Sequence, residues 1–130
     1  MANNDIRFDH AGPQYRVESV AASIEFYRSV LGFKLDYSNG SPPEYAVVFR
    51  DNVYIHLCES GPKDSEIGPG CAYIVISGVE RLWSQIQAFA VDVIEPLREN
   101  EYGQGVRVTD FSIRDPDGNI LRIGELVGGP

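Results

Sequence analysis

The 130-residue chain is 43% hydrophobic and 23% charged, with 19 acidic against 11 basic side chains and a formal charge of −8. That length suffices for one compact domain, 1–130, with a real core. The charge repels a phosphate backbone and an anionic bilayer and attracts cations, so nucleic acid and membrane are not expected partners. No apolar run approaches the roughly 20 residues that cross a bilayer. The first five residues carry no basic region followed by an apolar run, so they do not read as a secretion signal. Cys58 and Cys71 are too few for a disulfide framework. They read as free thiols, and the expected location is the cytoplasm.

Residues 1–7 are polar and expected to fray. Residues 10–17 (HAGPQYRV) read as a short strand, which Pro13 confines to an edge or an irregular start. Ser19 is an N-cap candidate. Val20, Ile24, Tyr27 and Leu31 recur at helical spacing, and Gly32 closes that helix. A strand over 33–37, a turn-rich loop over 38–43 and a hairpin over 44–50 and 52–58 follow. The Gly-, Pro- and charge-rich stretch 61–70 reads as a linker.

Residues 71–76 (CAYIVI) are a strong strand, and 79–90 a second helix with Val79, Leu82, Trp83, Ile86 and Phe89 toward the core. A strand around Pro96 over 91–97 and a loop over 98–105 lead into the last hairpin. There Asp110 to Arg114 alternates polar and apolar residues, Asp115-Pro116-Asp117-Gly118-Asn119 has turn chemistry, and Ile120, Leu121 and Ile123 return.

Each half therefore reads strand, helix, strand, strand, strand. The expected fold is α+β: two βαβββ modules, about 8–60 and 71–127, forming a curved mixed-sheet cup. A helix covers one face of each sheet, and two units side by side can curve their open faces into one shared cavity. If Phe49, Phe111 and Ile113 face the helices, then Val48, Arg50, Asp110 and Ser112 face the cavity. On the returning strands Tyr54, His56 and Arg122 face it, while Ile55, Leu121 and Ile123 pack on the helices. The leading strands add Gly12, Gln14, Arg16, Cys71 and Tyr73.

The stretches ASIEFYRSVLGF (22–33) and RDPDGNILRIGE (114–125), with the repeated βαβββ order, resemble the glyoxalase/bleomycin-resistance/dioxygenase family, or vicinal oxygen chelate proteins. Within it the chain is most similar to bleomycin-resistance proteins, on LGFKLDY (31–37), NVYIHL (52–57), Tyr102-Gly103 and Asp110-Phe111. The family's metalloenzymes carry ligands at positions that match Gly12, His56, Cys71 and Arg122 here. Glycine offers no donor and arginine no lone pair. Only His56 and Cys71 have donor atoms, and His10 would substitute only after a register shift, so no metal and no cofactor is expected.

The resemblance implies a non-catalytic binder that sequesters a planar, cationic bleomycin-type antibiotic as a homodimer, with clefts lined by both chains. An exposed sheet rim gives the dimer a physical reason as well. The expected ligand-binding residues are Asp36, Tyr37, Tyr54, His56, Tyr73, Tyr102, Asp110 and Arg122, with no catalytic residue. The tyrosines offer flat surfaces and the carboxylates attract a cation. Two alternatives stand beside this reading: a metal-dependent lyase, isomerase or dioxygenase of the same fold, and a binder of another metabolite.

Overall fold

The computed structural model describes residues 5–59 and 69–128. Most of the expected linker 61–70 lies outside these, as do residues 1–4 of the expected frayed start. The order is β1 (Gln14–Arg16), α1 (Val20–Ser29), β2 (Lys34–Asn39), β3 (Tyr45–Arg50), β4 (Val53–Cys58), β5 (Cys71–Val75), α2 (Val79–Ile86), β6 (Asp92–Glu101), β7 (Arg107–Arg114) and β8 (Ile120–Gly128). The strands form two four-stranded sheets, ordered β1-β4-β3-β2 and β5-β8-β7-β6. In each, the first strand runs parallel to the last and the other pairs are antiparallel. The two sheets repeat one topology, as the duplicated pattern predicts.

Ser19 caps α1, its Oγ accepting the Ala22 amide at 3.2 Å. The helix buries Val20, Ser23 and Tyr27 against Ala46, Val48, Ile55 and Leu57 of the first sheet. Gly78, the N-cap of α2, makes no side-chain capping bond of its own. Glu125 of β8 does the capping instead, accepting the Gly78 and Val79 amides at 2.9 and 3.0 Å. That helix is shorter than expected. After Ile86 the chain closes in three-residue bonds, from the Ala88 amide to the Gln85 carbonyl and from Phe89 to Ile86. Phe89, expected in the core, is consequently 43% exposed.

The helix-side residues of both sheets belong to one core, which holds Tyr15, Tyr27, Leu31, Ile55 and Leu57 together with Ile74, Ile86, Phe111, Leu121 and Ile123. A fully buried side chain of this size contributes about 1.5–3 kcal/mol relative to exposure. Each open face therefore lies on the far side of its own sheet from the shared core, so the two do not enclose the shared cavity expected between the modules.

Two expectations change here. Val48 pairs with Ile55 and Phe49 with Tyr54, and directly paired residues share a face. Phe49 thus lies on the open face, whereas Val48 is 1% exposed on the helix side, and Arg50 on that side donates from Nη1 to the Leu31 carbonyl at 2.8 Å. The unbroken apolar run Ala46 to Phe49 carries no alternation from which to read its phase. β6 also runs to Glu101, where a loop from residue 98 was expected, because Arg98, Glu99, Asn100 and Glu101 pair with Asp110, Thr109, Val108 and Arg107.

The modules are joined by the 115–119 turn. Asp115 Oδ1 accepts the Asp117 and Asn119 amides, both at 2.9 Å. Its Oδ2 accepts Tyr27 OH at 2.8 Å and Asn119 Nδ2 at 3.0 Å. Replacing Asp115 with Ala strands these donors in a site where Asp115 is 4% and Asn119 0% exposed. Asp115→Ala should lower unfolding stability by about 3 kcal/mol, read as a lower urea midpoint. A shift below about 0.5 kcal/mol would show that the turn does not hold the modules together.

Candidate functional site

The open face of the second sheet gathers three of the expected residues, Tyr73, Tyr102 and Arg122, around a fourth, the carboxylate of Asp110. Asp110 on β7 is 2% exposed. Its Oδ2 accepts Tyr73 OH and Tyr102 OH, each at 3.0 Å, and Arg122 Nε at 3.3 Å. Its Oδ1 accepts Asn100 Nδ2 at 2.7 Å and Arg122 Nη2 at 3.5 Å. Arg122 Nη2 also donates to Tyr102 Oη at 2.9 Å. Arg122 Nη1 lies 3.5 Å from Glu95, which in turn pairs with Arg98 at 3.0 Å. The guanidinium of Arg122 sits 6.0 Å from the Tyr73 ring centroid, a cation–π arrangement.

Sheet register explains the gathering. Tyr73 pairs with Arg122, Arg122 with Ser112, and Asp110 with Gly124 and Arg98. Asn100, two residues past Arg98, is the diagonal neighbour of Asp110 on the same face. Gly124 is required by space, since a Cβ there would lie 2.6 Å from Tyr73 Oη and 3.0 Å from Asp110 Cβ. Without a side chain at 124, Tyr73 reaches across β8 to the carboxylate. Tyr102 starts a tight turn in which its amide bonds the Val106 carbonyl at 2.8 Å. Gly103, Gln104 and Gly105 all take positive φ, at 95°, 52° and 78°, which glycine accepts without strain.

Burial pushes the Asp110 carboxyl up, but hydrogen bonds from Arg122, Tyr73 and Tyr102 and the charge of Arg122 outweigh it, leaving its pKa below the usual value. The Arg122 pKa rises, chiefly through its hydrogen bond to Asp110. Tyr73 is pushed up to about 12, first by burial and then by its bond to Asp110 and that carboxylate's charge. At neutral pH the cluster is therefore an ionised carboxylate ringed by protonated donors.

The other expected residues lie on the first sheet. Tyr37 pairs with Val47 on the open face and is 52% exposed, with Asn39 Nδ2 donating to its hydroxyl at 3.3 Å. Asp36 occupies the bulge between the Leu35 and Tyr37 pairings and is exposed. The Tyr54 ring stacks on His10 at 4.4 Å and on Phe49 at 5.6 Å between centroids. His56 Nδ1 shares a short hydrogen bond with Tyr45 OH. Among the described residues no hydrogen bond, ion pair or ring stack joins this group to the Asp110 cluster. Sequence reasoning missed Asn100, Glu95 and Gly124. Only a β6 continued through residue 101 would have pointed to the first.

The positions matching the family's metal ligands divide two to a sheet. A Cβ at Gly12 would overlap the Tyr54 carbonyl, so no donor side chain fits there. Arg122 is committed to Asp110, His56 bonds Tyr45, and Cys71 is exposed on the other sheet. Among the described residues, no three His, Cys, Asp or Glu side chains are grouped to hold a metal. The donor set does not fit the metal of the family's enzymes, whose sites need several neutral or anionic donors.

The sequence model of the Glyoxalase/Bleomycin resistance protein/Dioxygenase superfamily matches residues 7–123. The chain belongs to that superfamily. It is 28% identical over 127 residues to virulence protein STM3117 of Salmonella typhimurium, covering 93% of this chain and 85% of that protein. Its fold matches the crystal structure of TioX from Micromonospora sp. ML1 with a TM-score of 0.78 at 14% identity, over 91% and 98% of the two chains. A superfamily member from Alicyclobacillus acidocaldarius gives 0.74 at 15% identity, over 92% of each chain. At such identities the structural likeness speaks for the fold alone. No helix among the described residues is long and apolar enough to cross a membrane.

The lowered Asp110 pKa has a signed consequence for stability. Between the folded and the ordinary carboxylate values the unfolded chain binds more protons, so stability rises with pH there. The contribution of Asp110 is complete above the ordinary value, near 4, and disappears as pH falls through the folded one. Thermal melts from neutral pH down to about pH 2 should show this loss in the wild type and a flatter acid limb in Asp110→Asn. Parallel acid limbs would place the effect on other carboxylates.

Proposed function

We propose that this chain is a non-catalytic binding protein that sequesters a planar, cationic bleomycin-type antibiotic in the cytoplasm. The observation that carries the reading is the tyrosine wall around Asp110. Tyr73 and Tyr102 are 48% and 53% exposed, yet both hydroxyls are bonded to one buried carboxylate. Their rings are thus held in place before a ligand arrives, which lowers the entropy cost of stacking. Tyr37 and the His10–Tyr54–Phe49 stack offer a second aromatic surface on the other sheet.

The two open faces belong to opposite sides of one core, so a cleft closed by both needs a second copy of the chain. A homodimer supplies it. The net charge of −8 and exposed carboxylates such as Asp36 draw a cation toward the cleft. Proton transfer is not what the cluster is built for. Asp110 would have to give up bonds to four side chains to act as a base, and Tyr73, titrating at about 12, remains a donor at neutral pH.

Calorimetric titration with metal-free and copper-loaded bleomycin tests the reading. Submicromolar binding of about one drug per chain is expected, weakened about tenfold or more by Tyr37→Ala or Tyr102→Ala. No heat at high drug concentration would sink antibiotic sequestration and leave a binder of another metabolite.

A further inference from the structure

The two modules differ at the junction where each rests on the other. In the second, Arg114 pairs with Ile120 across a five-residue turn, 115–119. Its side chains fill the junction beside α1, where Asp117 accepts the Glu18 amide at 3.0 Å and Ser23 Oγ at 3.5 Å, and Asp115 accepts Tyr27 OH. In the first module Arg50 pairs with Val53 across two residues, 51 and 52. Three residues are missing from the turn that faces α2. A cleft of about 490 Å³ opens there, lined by the short turn, the end of β5 and the first turns of α2. This is within the size range of small-molecule sites.

Val53, Ile76 and Leu82, half-buried over the core residues Leu31, Phe33 and Ile123, give the cleft apolar walls, and Arg50 and Arg81 stand among its polar residues with Asp51 as the lining carboxylate. Arg50 is oriented by its bond to the Leu31 carbonyl. Arg81 has no hydrogen bond or ion pair among the described residues. Glu125, bonded to the Gly78 and Val79 amides, stands at the edge of the cleft, so its charges are close to balance and Arg81 is the lining cation left for a ligand. In the corresponding junction of the other module, the groups that fill the space are carboxylates from the longer turn.

We propose that this cleft is a second ligand site, separate from both open sheet faces, for a small amphipathic monocarboxylate. The apolar tail lies against Val53, Ile76 and Leu82, and the carboxylate takes the place that Asp115 and Asp117 hold at the other junction, paired with Arg81. The site does not depend on antibiotic binding.

Octanoate is a suitable probe, with octanamide as its uncharged counterpart. Calorimetry should give saturable binding near one octanoate per chain, with octanamide at least about tenfold weaker. Arg81→Gln should weaken octanoate about tenfold, and Gln85→Trp, which fills the cleft from α2, should abolish it. Tyr102→Ala, on the open face, should leave it unchanged. Arg81 is exposed, so its variant is expected to melt with the wild type. Absence of saturable octanoate binding would overturn the proposal. So would binding that survives Arg81→Gln and Gln85→Trp, or that is lost in Tyr102→Ala.

Discussion

A buried carboxylate in a turn sets the relation between the two halves of this protein. Asp115 holds the 115–119 turn in shape with one oxygen and reaches the α1 residue Tyr27 with the other. Asn119, itself fully buried, passes the connection on by accepting the Gly70 amide at 2.7 Å just ahead of β5. Tyr15 of β1 adds a bond from its hydroxyl to the Ile120 carbonyl at 3.2 Å. Burying a carboxylate is costly unless its oxygens are fully used. Here they are, so the turn has one geometry, and the modules share a core behind it. Burial and the nearby Asp115 also push the Tyr27 hydroxyl pKa well above its usual value, which keeps that donor protonated.

The second carboxylate, Asp110, does the same for the open face that Asp115 does for the junction. Its charge is balanced by Arg122, and that of Glu95 by Arg98 and Arg122. The cluster is therefore close to neutral as a unit. What it presents outward is tyrosine surface, and the attraction for a cation comes from the chain as a whole. Rigid aromatic walls and long-range steering are separable contributions, the first to residence time and the second to encounter rate.

Duplication gave both modules one topology, and divergence gave them different surfaces. The first module carries the His10–Tyr54–Phe49 stack and, apart from it, the hydrogen-bonded pair of His56 and Tyr45. The second carries a hydrogen-bonded polar cluster. The turn that plugs one junction is three residues shorter at the other, which leaves a cleft on the helix side of the fold. Such asymmetry is where a duplicated scaffold acquires separate sites without altering its core.

The sequence by itself determined the repeated βαβββ order, the caps at Ser19 and Gly32, and the inward set Asp110, Arg122 and Tyr73. Local propensity, turn chemistry and clean alternation carry those signals, and each acts within a few residues. Only the tertiary structure decided the side on which Phe49 lies, because a continuous apolar run has no phase until its register with β4 is set. Pairing with β7 likewise turned residues 98–101 from an expected loop into strand and brought Asn100 to Asp110. The role of Gly124 was equally invisible, since a glycine's neighbours are known only once β5 lies beside β8. Whether Tyr54 offers a free ring also depended on tertiary structure, which stacked His10 and Phe49 against it.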